Sequence, residues 1–179
     1  MTSRSSLDIP EPKEMVERPV YLTYRYRANP QSNRFLHAIK QGVILGVRSR
    51  GSGKVLVPPP GVCPETGTLT PDELIELAES GTVLSYTIVH LPIPNSKLKP
   101  PFVVANILLD GADQAFSHLI SECELQDVQI GTRVRAKWKP EEEWDYGLEN
   151  IEYFVLSGEP AVDIESHRAA RLQEAAKHA

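Results

Sequence analysis

Residues 49–67 read SRGSGKVLVPPPGVCPETG, two short turns flanking an apolar run. Ser49 and Ser52 stand two residues apart in the first turn, and Cys63 and Thr66 keep the same gap in the second. That is the spacing of paired C-x-x-C knuckles, in which tetrahedral zinc takes one pair of ligands from each turn. Only one of the four positions carries a thiol. Serine and threonine hydroxyls are poor zinc ligands, so the spacing predicts a degenerate, metal-free ribbon in which zinc is not expected. Around the turns, VILGV and KVLVP form two short apolar runs suited to a hairpin. Pro58, Pro59 and Pro60 restrict the unfolded turn.

Working toward the N-terminus, NPQSNRFLHAIKQG predicts a short helix. Asn29 is placed as its N-cap, Pro30 at the first helical position and Gly42 just past its end. Phe35, Leu36 and Ile39 fall on one face. Before it, RPVYLTYRYR alternates Tyr24 and Tyr26 with Arg25 and Arg27, as a strand requires, and residues 1–17 read as a polar, proline-spaced arm. Toward the C-terminus, TPDELIELAESG carries a capping box at Thr70 and Glu73, with Pro71 at the first helical position. A helical turn over 71–73 followed by a first barrel strand from Leu74 to Leu77 is expected. TVLSYTIVHL, FVVANILLD, QAFSHLI, TRVRAKW and IEYFVL follow at short spacing, the pattern of a small barrel or sandwich. In RVRAKW, Val134, Ala136 and Trp138 share one face and Arg133, Arg135 and Lys137 the other. The tail GEPAVDIESHRAARLQEAAKHA is rich in helix formers but has a sparse apolar face, which predicts a weak helix on the surface or one ordered against a partner.

Composition narrows the class. The chain has 179 residues, 41% of them hydrophobic, and a net charge of -5, which fits a globular protein rather than a disordered or fibrous one. No apolar stretch is long enough to cross a bilayer and the start lacks the apolar core of a signal peptide, so a cytoplasmic protein with reduced thiols is expected. Charge divides unevenly: ten Lys or Arg against four acids in residues 1–54, six against nineteen in 55–165, and three against one in the tail.

This order of parts resembles the zinc-ribbon and OB-fold family long catalogued as domain of unknown function thirty-five. The resemblance spans residues 29–158. It rests on the short helix before the ribbon, the knuckle-PP-knuckle spacing, SGTVLSYTIVHLPIP followed by PPFVVANILLDG, and the late VQIGTRVRAKW. It implies a mainly β chain: a five-stranded OB-fold barrel preceded by a short helix and a degenerate zinc ribbon, with a C-terminal helical tail. The expected divisions are 1–28 (an arm with a strand), 29–68 (helix and ribbon), 69–158 (OB-fold) and 159–179 (tail). The family's four cysteines correspond to Ser49, Ser52, Cys63 and Thr66, which sets this chain apart from the pattern.

Members of that family accompany thiolases, ketoacyl-synthase-like acyltransferases, or thiolase-like aldolases that shorten steroid side chains. The resemblance therefore implies a non-catalytic subunit of a heteromeric complex, with a thiolase-like catalytic partner and acyl-CoA at the shared interface. Tyr21, Tyr24, Tyr26 and Phe35 are the expected interface residues, since aromatic side chains favour interface cores. Arg48, Arg50 and Lys54 around the first turn are candidates for coenzyme A phosphates or an acidic partner patch. SRGSGK has neither the spacing nor the strand-to-helix setting of a phosphate loop.

No catalytic residue is expected in this chain. Cys63 has no histidine near it in sequence to act as its base, and lone histidines such as His37, His90 and His118 are more often packed or hydrogen-bonded than catalytic. The alternative is a single-stranded nucleic-acid binder, with Tyr86, Phe102, Trp138, Trp144 and Tyr146 as stacking platforms. Against it, PEEEWDYGLEN places five acids in eleven residues in a loop such barrels commonly use to hold the strand, where phosphate would be repelled.

Overall fold

The computed structural model describes residues 22–23, 25, 27–93 and 96–178. Helix α1 spans Pro30–Ile39 and begins as its sequence directs: the Asn29 side chain accepts the Ser32 N–H at 2.8 Å, and Pro30 occupies the first turn. Past its last residue, Ile39, the chain turns at Gly42, whose φ of +75° lies in the left-handed region. A Cβ at Gly42 would also stand 2.8 Å from the Trp144 ring, so the turn and the packing both select glycine. Phe35 and Ile39 on this helix enter the main core. The strand expected in RPVYLTYRYR falls mostly outside the described residues; Leu22, Thr23, Arg25 and Arg27 are not in a strand.

Strands β1 (Leu45–Arg48) and β2 (Val55–Leu56) form the predicted antiparallel hairpin, with Val47 opposite Leu56 and Arg48 opposite Val55. The next segment departs from expectation twice. No helical turn forms over 71–73, and β3 (Ile75–Glu76) pairs with the other side of β1, giving the order β2-β1-β3, instead of opening the barrel. The cause is where Thr70 spends its hydroxyl. It donates to the Pro60 carbonyl at 2.5 Å, so it is not a helix cap. Gln31 on α1 then donates to the Thr70 carbonyl and to the Asp72 carboxylate, and Arg34 donates to the Asp72 carbonyl at 2.6 Å. These bonds hold residues 70–72 extended along α1.

The remaining strands are β4 (Ser80–Val89), β5 (Phe102–Leu109), β6 (Phe116–Ile120), β7 (Arg133–Trp138) and β8 (Ile151–Leu156). They close into a barrel of order β4-β5-β6-β8-β7. Alternation works as read: Val134 and Ala136 are buried, and Arg135 between them is exposed. Phe154, Ile107, Leu109, Val83 and Val103 fill the barrel, and Ile44, Val55, Val57 and Leu77 from the ribbon side join the same core. Arg133 locks one end, donating to both oxygens of Asp110 at 2.7 and 2.6 Å and to Glu159 at 2.8 Å. Asp110 and Glu159 together push the guanidinium's pKa up.

Helix α2 (Ile164–Ala176) starts at Asp163, which accepts the Ser166 N–H. It lies on this chain's own barrel. Arg171 donates to both oxygens of Asp113 at 2.9 and 2.8 Å and to the Gly111 carbonyl at 2.9 Å, and Ala175 is buried. Among the described residues no helix is long and apolar enough to cross a membrane.

Candidate functional site

The two turns of the ribbon do converge. Backbone bonds close each one: Ser49 N–H to Lys54 and Gly53 N–H to Ser49 in the first, Cys63 N–H to Thr68 and Gly67 N–H to Cys63 in the second. They then touch, since a Cβ on Gly51 would lie 2.6 Å from the Thr66 hydroxyl and 2.9 Å from that of Thr68. The Ser52 hydroxyl is 3.8 Å from the Cys63 sulfur and Ser49 Oγ accepts the Ser52 N–H at 3.3 Å. Cys63 has no accessible surface; with Val47 and Leu56, and with Leu74 packed against them, it makes a small core separate from the barrel's. Hydrogen bonds from the Ser49 and Thr66 hydroxyls bring its thiol from an ordinary 9.0 down to about 6, against an upward push from burial.

These donors do not fit the zinc of a ribbon. One thiol and three neutral hydroxyls cannot supply the charge and softness of four thiolates, or of thiolates with imidazole. Among the described residues no group of three or more His, Cys, Asp or Glu side chains is placed to hold a metal ion. Cys63 instead packs in the ribbon's small core with its sulfur held by the surrounding hydroxyls.

What ties the ribbon to the rest is Asp113, a residue the sequence did not single out. Its carboxylate accepts the Val55 N–H at 2.8 Å, its own N–H donates to the Val55 carbonyl at 2.8 Å, and its two oxygens receive Arg171. One side chain, 5% exposed, thus joins ribbon, barrel and C-terminal helix. A lone Asp in GADQAF carries no local signal of that role, because Arg171 is 58 positions away.

The three candidate cations divide. Arg48 donates to the Gly53 carbonyl at 2.9 Å and braces its own turn. Lys54 is paired with Glu65 at 2.5 Å. Arg50 is exposed and lines a cleft of about 720 Å³ between the second knuckle and the start of α1, beside Val62 and Leu69. Val62 and Leu69 bridge each other across the knuckle and remain 46% and 77% exposed. Phe35, expected at a partner interface, is 3% exposed and belongs to the core; an apolar helix face does not reveal whether it covers its own barrel or another chain. Tyr21, Tyr24 and Tyr26 lie outside the described residues.

The histidines do not assemble with Cys63 into a reactive group. His37 stacks edge-on against Tyr146, with ring centroids 5.0 Å apart. His90 is exposed beyond the end of β4. His118 is half-buried between Phe116 and Phe154; its Nδ1 accepts the Leu119 N–H at 2.9 Å, and burial holds its pKa below the ordinary 6.5. Of the supposed stacking platforms, the two tryptophans are committed elsewhere. Trp138 and Trp144 pack on each other at 5.4 Å, with their N–H groups donated to Glu79 and to the Lys139 carbonyl. Asn150 donates to the Ile39 carbonyl at 3.0 Å, which pins the acidic loop to the end of α1. Beside that loop, β6 and β8 part to leave a cleft of about 440 Å³ holding His118, Glu149 and Glu152.

Residues 74–139, from just before β3 to just past β7, match the family model described as ChsH2, C-terminal OB-fold domain. A DUF35 domain-containing scaffold protein of Methanocaldococcus jannaschii is 29% identical over 103 residues, which cover 58% of this chain and 72% of that protein. The chain carries an OB-fold domain that matches that family model and is similar to DUF35 proteins. Two solved structures share its fold. An Ltp2-ChsH2(DUF35) aldolase superimposes with a TM-score of 0.54 at 22% identity, covering 74% of this chain and 99% of that one. A DUF35 protein of unknown function from Sulfolobus solfataricus gives 0.51 at 19% identity, covering 71% and 84%. The matched segment includes the whole of β4 to β7, four of the five barrel strands.

Proposed function

We propose that this protein is a non-catalytic accessory subunit of a heteromeric complex with a thiolase-like enzyme that makes or breaks carbon–carbon bonds in acyl-CoA thioesters, an aldolase of steroid side-chain degradation being the reading we favour. The observation that carries it is the fate of the reactive side chains. Cys63, His37 and His118 are each taken up by packing or hydrogen bonds, and among the described residues none stands within a nucleophile–base pair. The named relatives point the same way, one a scaffold protein and one a chain of an aldolase.

In this reading the ribbon carries no zinc and works as a contact surface. Val62 and Leu69 present apolar area on the second knuckle, and Arg50 stands beside them to meet a coenzyme A phosphate or an acidic patch on the partner. The protein is cytoplasmic, and the reacting Cys, His or Tyr belongs to the partner. Nucleic acid is disfavoured by the internal use of Trp138 and Trp144 and by the acids of the adjoining loop. Affinity purification of the tagged chain from its native source tests the proposal. Co-elution of a thiolase-like enzyme is expected; recovery with no enzyme subunit attached would contradict it.

A further inference from the structure

We infer that the seam between β6 and β8 is a docking groove for the arm RPVYLTYRYR, residues 18–27, of a second copy of this chain. In the closed barrel every neighbouring pair of strands is joined over several positions except this one. β6 and β8 run parallel and pair only at Ile120 and Phe154, with one further bond from Ser121 N–H to the Phe154 carbonyl at 3.0 Å. Toward their N-terminal ends, Phe116 and Ile151, they separate around the 440 Å³ cleft. The backbone there is satisfied by a side chain instead of a strand: the Leu119 N–H goes to the ring of its own neighbour His118. An extended segment adds to such an edge through main-chain hydrogen bonds, with alternate side chains seated in the groove.

The chemistry of the groove selects the segment. Its floor is apolar, with Val104, Leu119, Leu148 and Ile151, and its rim carries the exposed carboxylates Glu149 and Glu152; among the described residues that line it, Lys139 at the mouth is a like charge the arm would meet. RPVYLTYRYR repeats with the period of a strand, so Tyr24 and Tyr26 fall on one side and Arg25 and Arg27 on the other. Tyrosines would then lie on the floor and arginines beside the carboxylates, the arrangement charge complementarity favours. Leu22, Thr23, Arg25 and Arg27 are all exposed on their own chain, which is why the occupant is assigned to a second copy. The uneven charge of the sequence, a basic front and an acidic body, gains a use in this contact.

Sedimentation velocity on the full chain across a concentration series tests it. The wild type should self-associate. Arg25→Glu with Arg27→Glu should weaken association by about tenfold or more, as should Glu149→Arg with Glu152→Arg. All four positions are exposed, and circular dichroism checks that both variants fold. Mixing the two variants should restore association, since an acidic arm then meets a basic rim. A wild type that stays monomeric, dimerisation indifferent to both charge reversals, or a mixture that fails to recover would overturn the inference. None of these outcomes bears on whether an enzyme subunit co-purifies, so the two readings fail separately.

Discussion

The barrel and the ribbon of this protein reach order by different routes. The barrel closes on itself, buries Phe154, Ile107, Leu109 and Val83 in one core, and clamps its end with Arg133 between Asp110 and Glu159. The ribbon has three short strands and a core of Val47, Leu56 and Cys63 with Leu74 against them. A structural zinc can contribute about 10 kcal/mol to folding a finger of that size. The ribbon's order here is supported by the packing of Cys63 among hydroxyls and by attachment: Val55 and Val57 enter the barrel's core, and Asp113 grips the β2 backbone. A small module attached in this way draws order from its larger neighbour.

The largest expected effect is at the attachment. Replacing Asp113 with alanine leaves the Val55 N–H and the Arg171 guanidinium without their partner, and should cost about 3 kcal/mol by chemical denaturation. Hydrogen exchange should quicken at β2 and at α2 together, while the barrel strands stay protected. Exchange in β2 unchanged by the substitution would mean that the ribbon stands alone, and the contrast with the barrel would fail.

A smaller effect belongs to Cys63. Its thiol is lowered from 9.0 to about 6 on folding, so the stability it adds is fully present above pH 9 and is lost as the pH falls through about 6. The melting temperature of the wild type should thus fall further between pH 8 and pH 6 than that of Cys63→Ala. Equal falls in both proteins would show that the hydroxyls do not hold a thiolate.

Much of this was legible in the sequence where the information is local. Asn29, Pro30 and Gly42 fix α1 through its own caps, and alternation in RVRAKW sorts the faces of β7 without reference to any other strand. The failures share a cause: they depend on partners distant in the chain. Thr70 has the residues of a capping box, yet its hydroxyl goes to Pro60 and its carbonyl to Gln31. Strand propensity marks 74–77 as extended but does not name its neighbour, and β3 pairs with β1 instead of opening the barrel. Phe35 sits on an apolar helix face that suits an interface, although the surface it covers is the chain's own. At the site, the spacing of Ser49, Ser52, Cys63 and Thr66 correctly indicated two turns in contact, whereas the joint at Asp113 and Arg171 was invisible.

The central claim is that the ribbon is ordered without metal. Native mass spectrometry of untagged protein, purified without chelators, tests it most directly. The account predicts a folded chain at the mass of the polypeptide alone, with β2 protected from exchange. One zinc per chain, lost together with that protection on adding a chelator, would contradict it.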